Sequence, residues 1–265
     1  MSSLKNEVLK KLENGFDEAL ENKIKNYNRE TNYMPFLESI FSKKNTNIYS
    51  LGISLATWLG MSSGGGYEEI SKILSVSAGN KAITQYKINK TLTKQTDAKI
   101  HEMWQSIKKN EIDSNPENIL SELKSFVKGC DGVDSDRVVD VFITDKDNNI
   151  TFIDITSPKS NMKESAALKL KLMRWQALGL AHYKAKKVRA VVALPYNPYH
   201  PKPYKRFSSI ILVKDKDVLV QEKFWNHIAE LEIYEDLLKI ISKVGKKHMS
   251  KMNLLVDKIS STKNS

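Results

Sequence analysis

Between Val138 and Trp175 the chain reads VVDVFITDKDNNITFIDITSPKSNMKESAALKLKLMRW, and this segment limits the fold more than any other. Its first half has two runs of β-branched and aromatic residues around the turn-rich DKDNN, the pattern of a β-hairpin. Side chains alternate faces along a strand, so Asp140 shares a face with Val138 and Phe142, and Asp154 shares one with Ile150 and Phe152. A five-residue loop, Asp145 to Asn149, sets Thr144 opposite Ile150. Counting outward along both strands then brings Asp140 opposite Asp154. Directly opposed side chains have Cβ atoms about 5 Å apart, and like charges there repel.

Two readings of the pair stand at this point. The aspartates sit solvated on the open face of an edge hairpin, or they hold a cation. A hard divalent ion with oxygen ligands, Mg²⁺ above all, suits two carboxylates among apolar neighbours. A loop one residue shorter or longer would separate them.

The sequence beyond the hairpin supplies context. Pro158 removes a backbone donor and ends the second strand. Asn161 with Glu164 three residues on reads as a capping box. Ala166, Ala167, Leu170, Met173, Ala177, Leu178 and Ala181 then recur at helical spacing. VRAVVALP has the near-continuous apolar character of a buried strand. Strand, strand, helix, strand, with acids on the first two strands and lysines just after, resembles the layout of PD-(D/E)xK nucleases. The expected fold class is therefore α/β, a mixed sheet flanked by helices, with a helical N-terminal region. The expected divisions are residues 1–130 (mainly helical), 131–245 (catalytic core and C-terminal helices) and 246–265 (basic tail).

Three segments in order, FIDITSPKSN, ALPYNPYHPKPYK and EKFWNHIAELEIYEDLLKII, resemble blocks of type II restriction endonucleases of the TdeIII family. The likeness runs from about Pro35 to Val244. It implies Mg²⁺-dependent cleavage of double-stranded DNA at a short palindrome such as GGNCC, by a homodimer with one active site per strand. The implied metal ligands are Asp140, Asp154 and the carbonyl of Ile155. Glu68, directly after Tyr67, matches a helix that lends a further acid to the site. One position departs from the pattern: where the family carries lysine two residues after the carboxylate, this chain has Thr156. Lys159, after Pro158, is the expected substitute, with Lys163 as a second.

The loop ALPYNPYHPKPYKR interleaves prolines with Tyr196, Tyr199, Tyr204, Lys202, Lys205 and Arg206. Proline keeps such a loop extended, and aromatics among cations suit a nucleic-acid backbone or a stacked base. Asn197 has the donor–acceptor pair that adenine requires. The formal charge of +11 favours a polyanionic partner.

Two rival functions remain on these residues: a structure-specific repair or recombination nuclease on the same core, and a basic DNA-binding protein whose aspartates are structural.

Elsewhere the sequence predicts helices from Leu4 to Tyr27, from Ile48 to Met61, from Asp97 to Lys109 and from Glu117 to Val127. KKNTN reads as a loop. The glycines of SSGGG lack the GK[ST] ending of a phosphate loop. FSSIILV and DVLV are expected to extend the sheet, and the tail after Gly245 to fray. A single cysteine, Cys130, forms no internal disulfide, and no apolar stretch approaches the ~20 residues that span a bilayer. A cytoplasmic protein without a membrane segment is the expectation. The five histidines lack zinc-type spacing.

Overall fold

The computed structural model describes residues 2–27, 35–60, 66–131, 138–156, 162–183, 185–205 and 211–261. By their contacts these fall into two compact units, Met1–Ile70 with Glu235–Ser265, and Ser71–Tyr234.

The second unit holds a five-stranded mixed sheet, and the mixed sheet flanked by helices that the sequence predicts is found. Its strands are β1 (Lys81–Lys87), β4 (Val138–Thr144), β5 (Ile150–Ile155), β6 (Val188–Leu194) and β7 (Val218–Val220), side by side in that order. β1, β4 and β5 pair antiparallel, whereas β5, β6 and β7 run parallel. Two short strands, β2 (Lys90–Leu92) and β3 (Gly129–Asp131), pair separately.

The hairpin register is the one the loop length demands: Val141 faces Ile153 and Thr144 faces Ile150. Asp145 enforces it. Its Oδ1 accepts from the amides of Asp147 (2.9 Å) and Asn149 (2.8 Å), and its Oδ2 accepts from the Asn149 side chain (2.8 Å). Asn148 takes the left-handed conformation (φ 62°) that asparagine tolerates.

Helix α6 (Met162–His182) links β5 to β6 and packs on one face of the sheet, where its Trp175 meets Phe152 (5.9 Å between ring centroids). Phe152 in turn meets Phe142 at 5.2 Å. Behind α6 lie α4 (Lys94–Lys108) and α5 (Pro116–Phe126), which bring Ile100, Ile107, Ile119 and Leu123 into the same core. α6 comes very close to the sheet at Gly179, where a Cβ would stand 2.4 Å from Val188 Cγ1. Ala167, expected in the apolar stripe, is exposed, because Ser165 and Lys169 are the neighbours that α6 turns inward there. Residues on the opposite face, such as Val141, Ile153 and Val191, are also buried, which accounts for the unbroken apolar runs of the central strands. α7 (Glu222–Ala229) packs Phe224 and Trp225 inward.

The first unit is helical. α1 (Ser2–Lys25) buries Val8, Leu12, Phe16 and Leu20, the predicted stripe. α8 (Tyr234–Ser261) lies along it, joined by Lys243–Glu13, Lys247–Asp17 and Lys251–Glu21 ion pairs and a buried His248 on Asp17. The expected fraying of the tail is therefore overturned as far as Ser261: these pairs and the buried Val244 and Ile259 hold it helical. α2 (Pro35–Gly60) runs through KKNTN, with one non-helical residue, Ser42 (φ 68°, ψ 156°). The expected loop is helical because buried Thr46 bonds back to the Ser42 carbonyl and buried Asn47 donates to the Ile259 carbonyl. α3 (Gly66–Ser77) runs from the first unit into the second.

One strand expectation fails. Ile211 and Leu212 are buried but not in a strand: the Asp217 carboxylate takes the Val213 amide (2.8 Å) and folds the chain into turns before β7. Residues 207–210, the expected capping residue Asn161, Lys159, Arg206, Asp134 and Asp136 lie outside the described residues.

The same Asp217 meets Lys169 of α6 in a fully buried ion pair (2.7 Å), and Lys169 also donates to the Ser114 carbonyl (2.6 Å). Burial pushes the carboxyl up and the ammonium down, so each depends on the other. Removing one partner strands a buried charge, which costs about 3–5 kcal/mol. Lys169→Met should lower unfolding stability by about that amount in urea titrations. Lys169→Met with Asp217→Leu should recover much of the loss.

Candidate active site

Asp140 and Asp154 sit at the end of the sheet face that carries Phe142 and Phe152. They are next in register after the Val141–Ile153 pair, so they oppose each other across β4 and β5. Asp154 is buried and Asp140 half-buried. Asp140 Oδ2 accepts a hydrogen bond from the Ile155 amide at 2.7 Å. That amide would otherwise face the β4 backbone, so the side chain replaces a ladder bond where the two strands part. Burial, and then the Asp154 charge beside it, push the Asp140 carboxyl up to about 6; the Ile155 hydrogen bond and the Lys171 charge oppose the rise.

Lys171 is the residue that sequence reasoning missed. Its Nζ forms an ion pair with Asp154 Oδ1 and stands 4.7 Å from the centroid of the Trp175 ring. The structure supplies the register that places it. α6 returns antiparallel to β5, so moving back four residues on the helix (about 6 Å) matches moving two residues forward on the strand (about 6.6 Å). With Trp175 over Phe152, Lys171 must lie over Asp154.

Thr156 leaves the strand with its amide on the Ala193 carbonyl (3.0 Å). It lines a cavity of about 400 Å³ together with Glu164, Ala167, Leu168, Leu170, Lys171 and Arg174. Arg174 is committed to Asp97 of α4 through a two-pronged pair (2.8 and 3.0 Å). Lys163 is exposed on the first turn of α6. Glu68 is buried in the first turn of α3, within the first unit, while the aspartate pair belongs to the second.

Beyond β6, the Pro195 carbonyl accepts from the Trp225 indole (2.8 Å) and the Asn197 amide donates to Gln221 (3.1 Å), which anchors the proline-rich loop. Tyr196, Tyr199, Lys202 and Lys205 are exposed, and half-buried Tyr204 packs on Tyr199 at 6.1 Å between centroids. Asn197 spends its side chain inside the loop: Nδ2 donates to the Lys202 carbonyl (2.8 Å) and Oδ1 accepts from the Tyr199 amide (3.0 Å).

Two opposed carboxylates, one raised by burial and by the charge of the other, have the donor chemistry of a hard divalent ion. Mg²⁺ needs no dense cage, since it keeps several waters and takes one or two carboxylates. Among the described residues no cluster of three or more His, Cys, Asp or Glu gathers. Among the described residues no helix is long and apolar enough to cross a membrane.

Comparison with known proteins finds type II restriction enzymes among the relatives of this chain. The chain is 26% identical over 219 residues to the type II restriction enzyme HgiCII of Herpetosiphon aurantiacus, covering 80% of this chain and 77% of that protein. It is 24% identical over 225 residues to HgiEI and to HgiBI from the same organism, with the same coverage. The family model that matches carries the description type II restriction endonuclease, HinfI, rather than the TdeIII name, and spans residues 4–245. The chain thus belongs to the HinfI family of type II restriction endonucleases, site-specific deoxyribonucleases built here on an α/β core.

Proposed function

We propose that this enzyme hydrolyses double-stranded DNA at a short palindrome with Mg²⁺ held by Asp140, Asp154 and the Ile155 carbonyl, as in PD-(D/E)xK nucleases. The observation that carries the reading is the opposition of two shielded carboxylates, one of them raised to about 6. In an extended strand the N–H and C=O of one residue point the same way, so the Ile155 carbonyl faces the Asp140 side that its amide already meets. The bound cation supplies charge neutralisation at the phosphate and a more acidic water.

The protein's part is positioning. The aspartates would hold the cation at the end of β5, and a lysine beside them orients the attacking water and offsets charge on the phosphate. The water oxygen bonds to phosphorus, the bond to the 3′ oxygen breaks, and a proton from the water ends on that oxygen. The products carry a 5′-phosphate and a 3′-hydroxyl. By its place after the strand Lys159 is one candidate for that lysine, and Glu68 is the further acid that the TdeIII resemblance implies.

The exposed Tyr196, Tyr199, Lys202 and Lys205 are proposed to meet the DNA backbone or stacked bases. Tyr204 anchors the loop, and Asn197 shapes it and presents it to the base edges. A double-strand cut at a palindrome calls for a C₂ homodimer, one site per strand. The resemblance of three blocks to the TdeIII family points to a GGNCC-like site.

Incubation with unmethylated plasmid tests the reading. A discrete set of fragments that depends on Mg²⁺ supports it, and cutting confined to branched DNA would instead favour a repair nuclease. Asp140→Ala and Asp154→Ala should each abolish cleavage and keep gel-shift affinity for the same DNA in Ca²⁺; retained cutting would remove that residue from the site.

A proton and a cation compete for Asp140. Its carboxyl holds a proton below about pH 6 and releases it above, and only the charged form binds a cation. Calcium affinity by calorimetry should therefore weaken as pH falls through 6, approaching about tenfold per unit. This limb should be missing in Asp140→Asn. Lys202→Ala and Lys205→Ala should each weaken binding to specific and unrelated duplexes alike and lower the salt-dependence slope by roughly one.

A further inference from the structure

The strand position that would carry a lysine beside Asp154 is Thr156, and a hydroxyl brings no positive charge. We infer that Lys171 of α6 provides that charge, holding Asp154 as an ion pair in the metal-free enzyme and turning to the scissile phosphate when a divalent cation takes the carboxylate. The inference rests on the two-carboxylate reading above.

Position comes first. Lys171 Nζ pairs with Asp154 Oδ1, and Lys171 lines the same 400 Å³ cavity as Thr156. A cation on the helix and a residue leaving the strand thus look into one space. Competition among the cations of α6 comes second. Lys169 is buried and committed to Asp217 and the Ser114 carbonyl, Arg174 is committed to Asp97, and Lys163 is exposed on the first turn. Of these, Lys171 is the one paired with the carboxylate.

Side-chain chemistry comes third. Lysine is a compact charge on a flexible stem, able to change partners where a planar guanidinium would lock. Its side chain is 26% exposed, so the ammonium is shielded without being sealed. The Trp175 face lies 4.7 Å away and attracts a cation whichever oxygen it serves. A divalent ion on Asp154 both removes the partner of Lys171 and repels it. The open route is the cavity shared with Thr156, where a DNA phosphate offers the anionic oxygen that replaces the carboxylate.

The test combines cleavage with cation binding in the full-length protein. Lys171→Met should cut plasmid about 10²–10³-fold more slowly. It should bind Ca²⁺ at least about fivefold more tightly, because the competing ion pair is gone (about 1 kcal/mol). Lys171→Met with Thr156→Lys should regain at least about tenfold of the lost rate, since the new lysine enters the same cavity. A purely structural Lys171 would not be rescued from the strand.

Should Lys171→Met fail to fold, ¹³C-dimethylated wild-type protein still decides the matter. The lysine resonance absent from Lys171→Arg should shift on addition of Ca²⁺ in step with calorimetric binding, and an unmoved resonance overturns the proposal. So does near-normal cleavage by Lys171→Met, or loss of cleavage in Lys159→Met with Lys171→Met active. In these cases dead Asp140→Ala and Asp154→Ala enzymes would leave the metal-site reading intact. Full activity in the aspartate variants would instead remove that reading.

Discussion

Two negative charges are held face to face at the end of a hairpin, and the rest of the second unit is arranged around that cost. The side-chain period of a strand is two, so a slip of one residue would send one aspartate to the opposite face. The Asp145 cage of hydrogen bonds prevents it by fixing a five-residue loop. Like charges directly opposed destabilise a sheet. The fold answers with partial compensation: the Ile155 amide on Asp140 and the Lys171 ammonium on Asp154. Together they do not offset burial and the Asp154 charge, which hold the Asp140 carboxyl near 6. A site left under-compensated in this way gains more from a divalent cation than one already neutralised by lysine and arginine.

The hairpin and the long helix after it were legible from their periods, and β6 from its near-continuous apolar run. Other elements failed for identifiable reasons. β1 was hidden in ITQYKINKTLT. It is an edge strand with its outer face exposed, and Gln85 breaks its regularity at φ 51°, so its alternation is weak and its lysines suit an edge. FSSIILV looked like a strand because Ile211 and Leu212 are apolar, yet burial in a turn demands the same residues; the distant Asp217 decides between the two. KKNTN looked like a loop because Thr and Asn compete with helical backbone bonds. Here Thr46 bonds within the helix and Asn47 bonds to a carbonyl 212 residues away. The tail looked detached because its lysines find their acids on α1, more than 200 residues earlier.

The site was legible to the same depth. Both aspartates follow from local pattern and loop length, since both lie on one hairpin. Lys171 does not, because it lies one position off the apolar stripe and its role depends on which strand residue the helix crosses. Only the Trp175–Phe152 contact supplies that register. Asn197 shows the converse error. Its amide has the right groups for a base edge, but the loop itself claims them, which no single-residue argument reveals.

Three cations on one helix illustrate how burial assigns different work to similar charges. Lys169 is sealed in the core and bound to Asp217 and a carbonyl, where loss of either partner is costly, so it fixes the helix against the turn before β7. Arg174 has a planar fork that matches the Asp97 carboxylate and ties α6 to α4. Gly179 sets the depth of the helix against Val188. Lys171 lies between the first two, half-exposed, with a single carboxylate and an aromatic face as partners. A charge that must exchange one anion for another within a few ångströms is useful only on a rigid support, because any drift of the helix would shift its reach by the same distance. The immobile neighbours are therefore what permit a mobile lysine, and they explain why a helix residue can serve where a strand residue is missing.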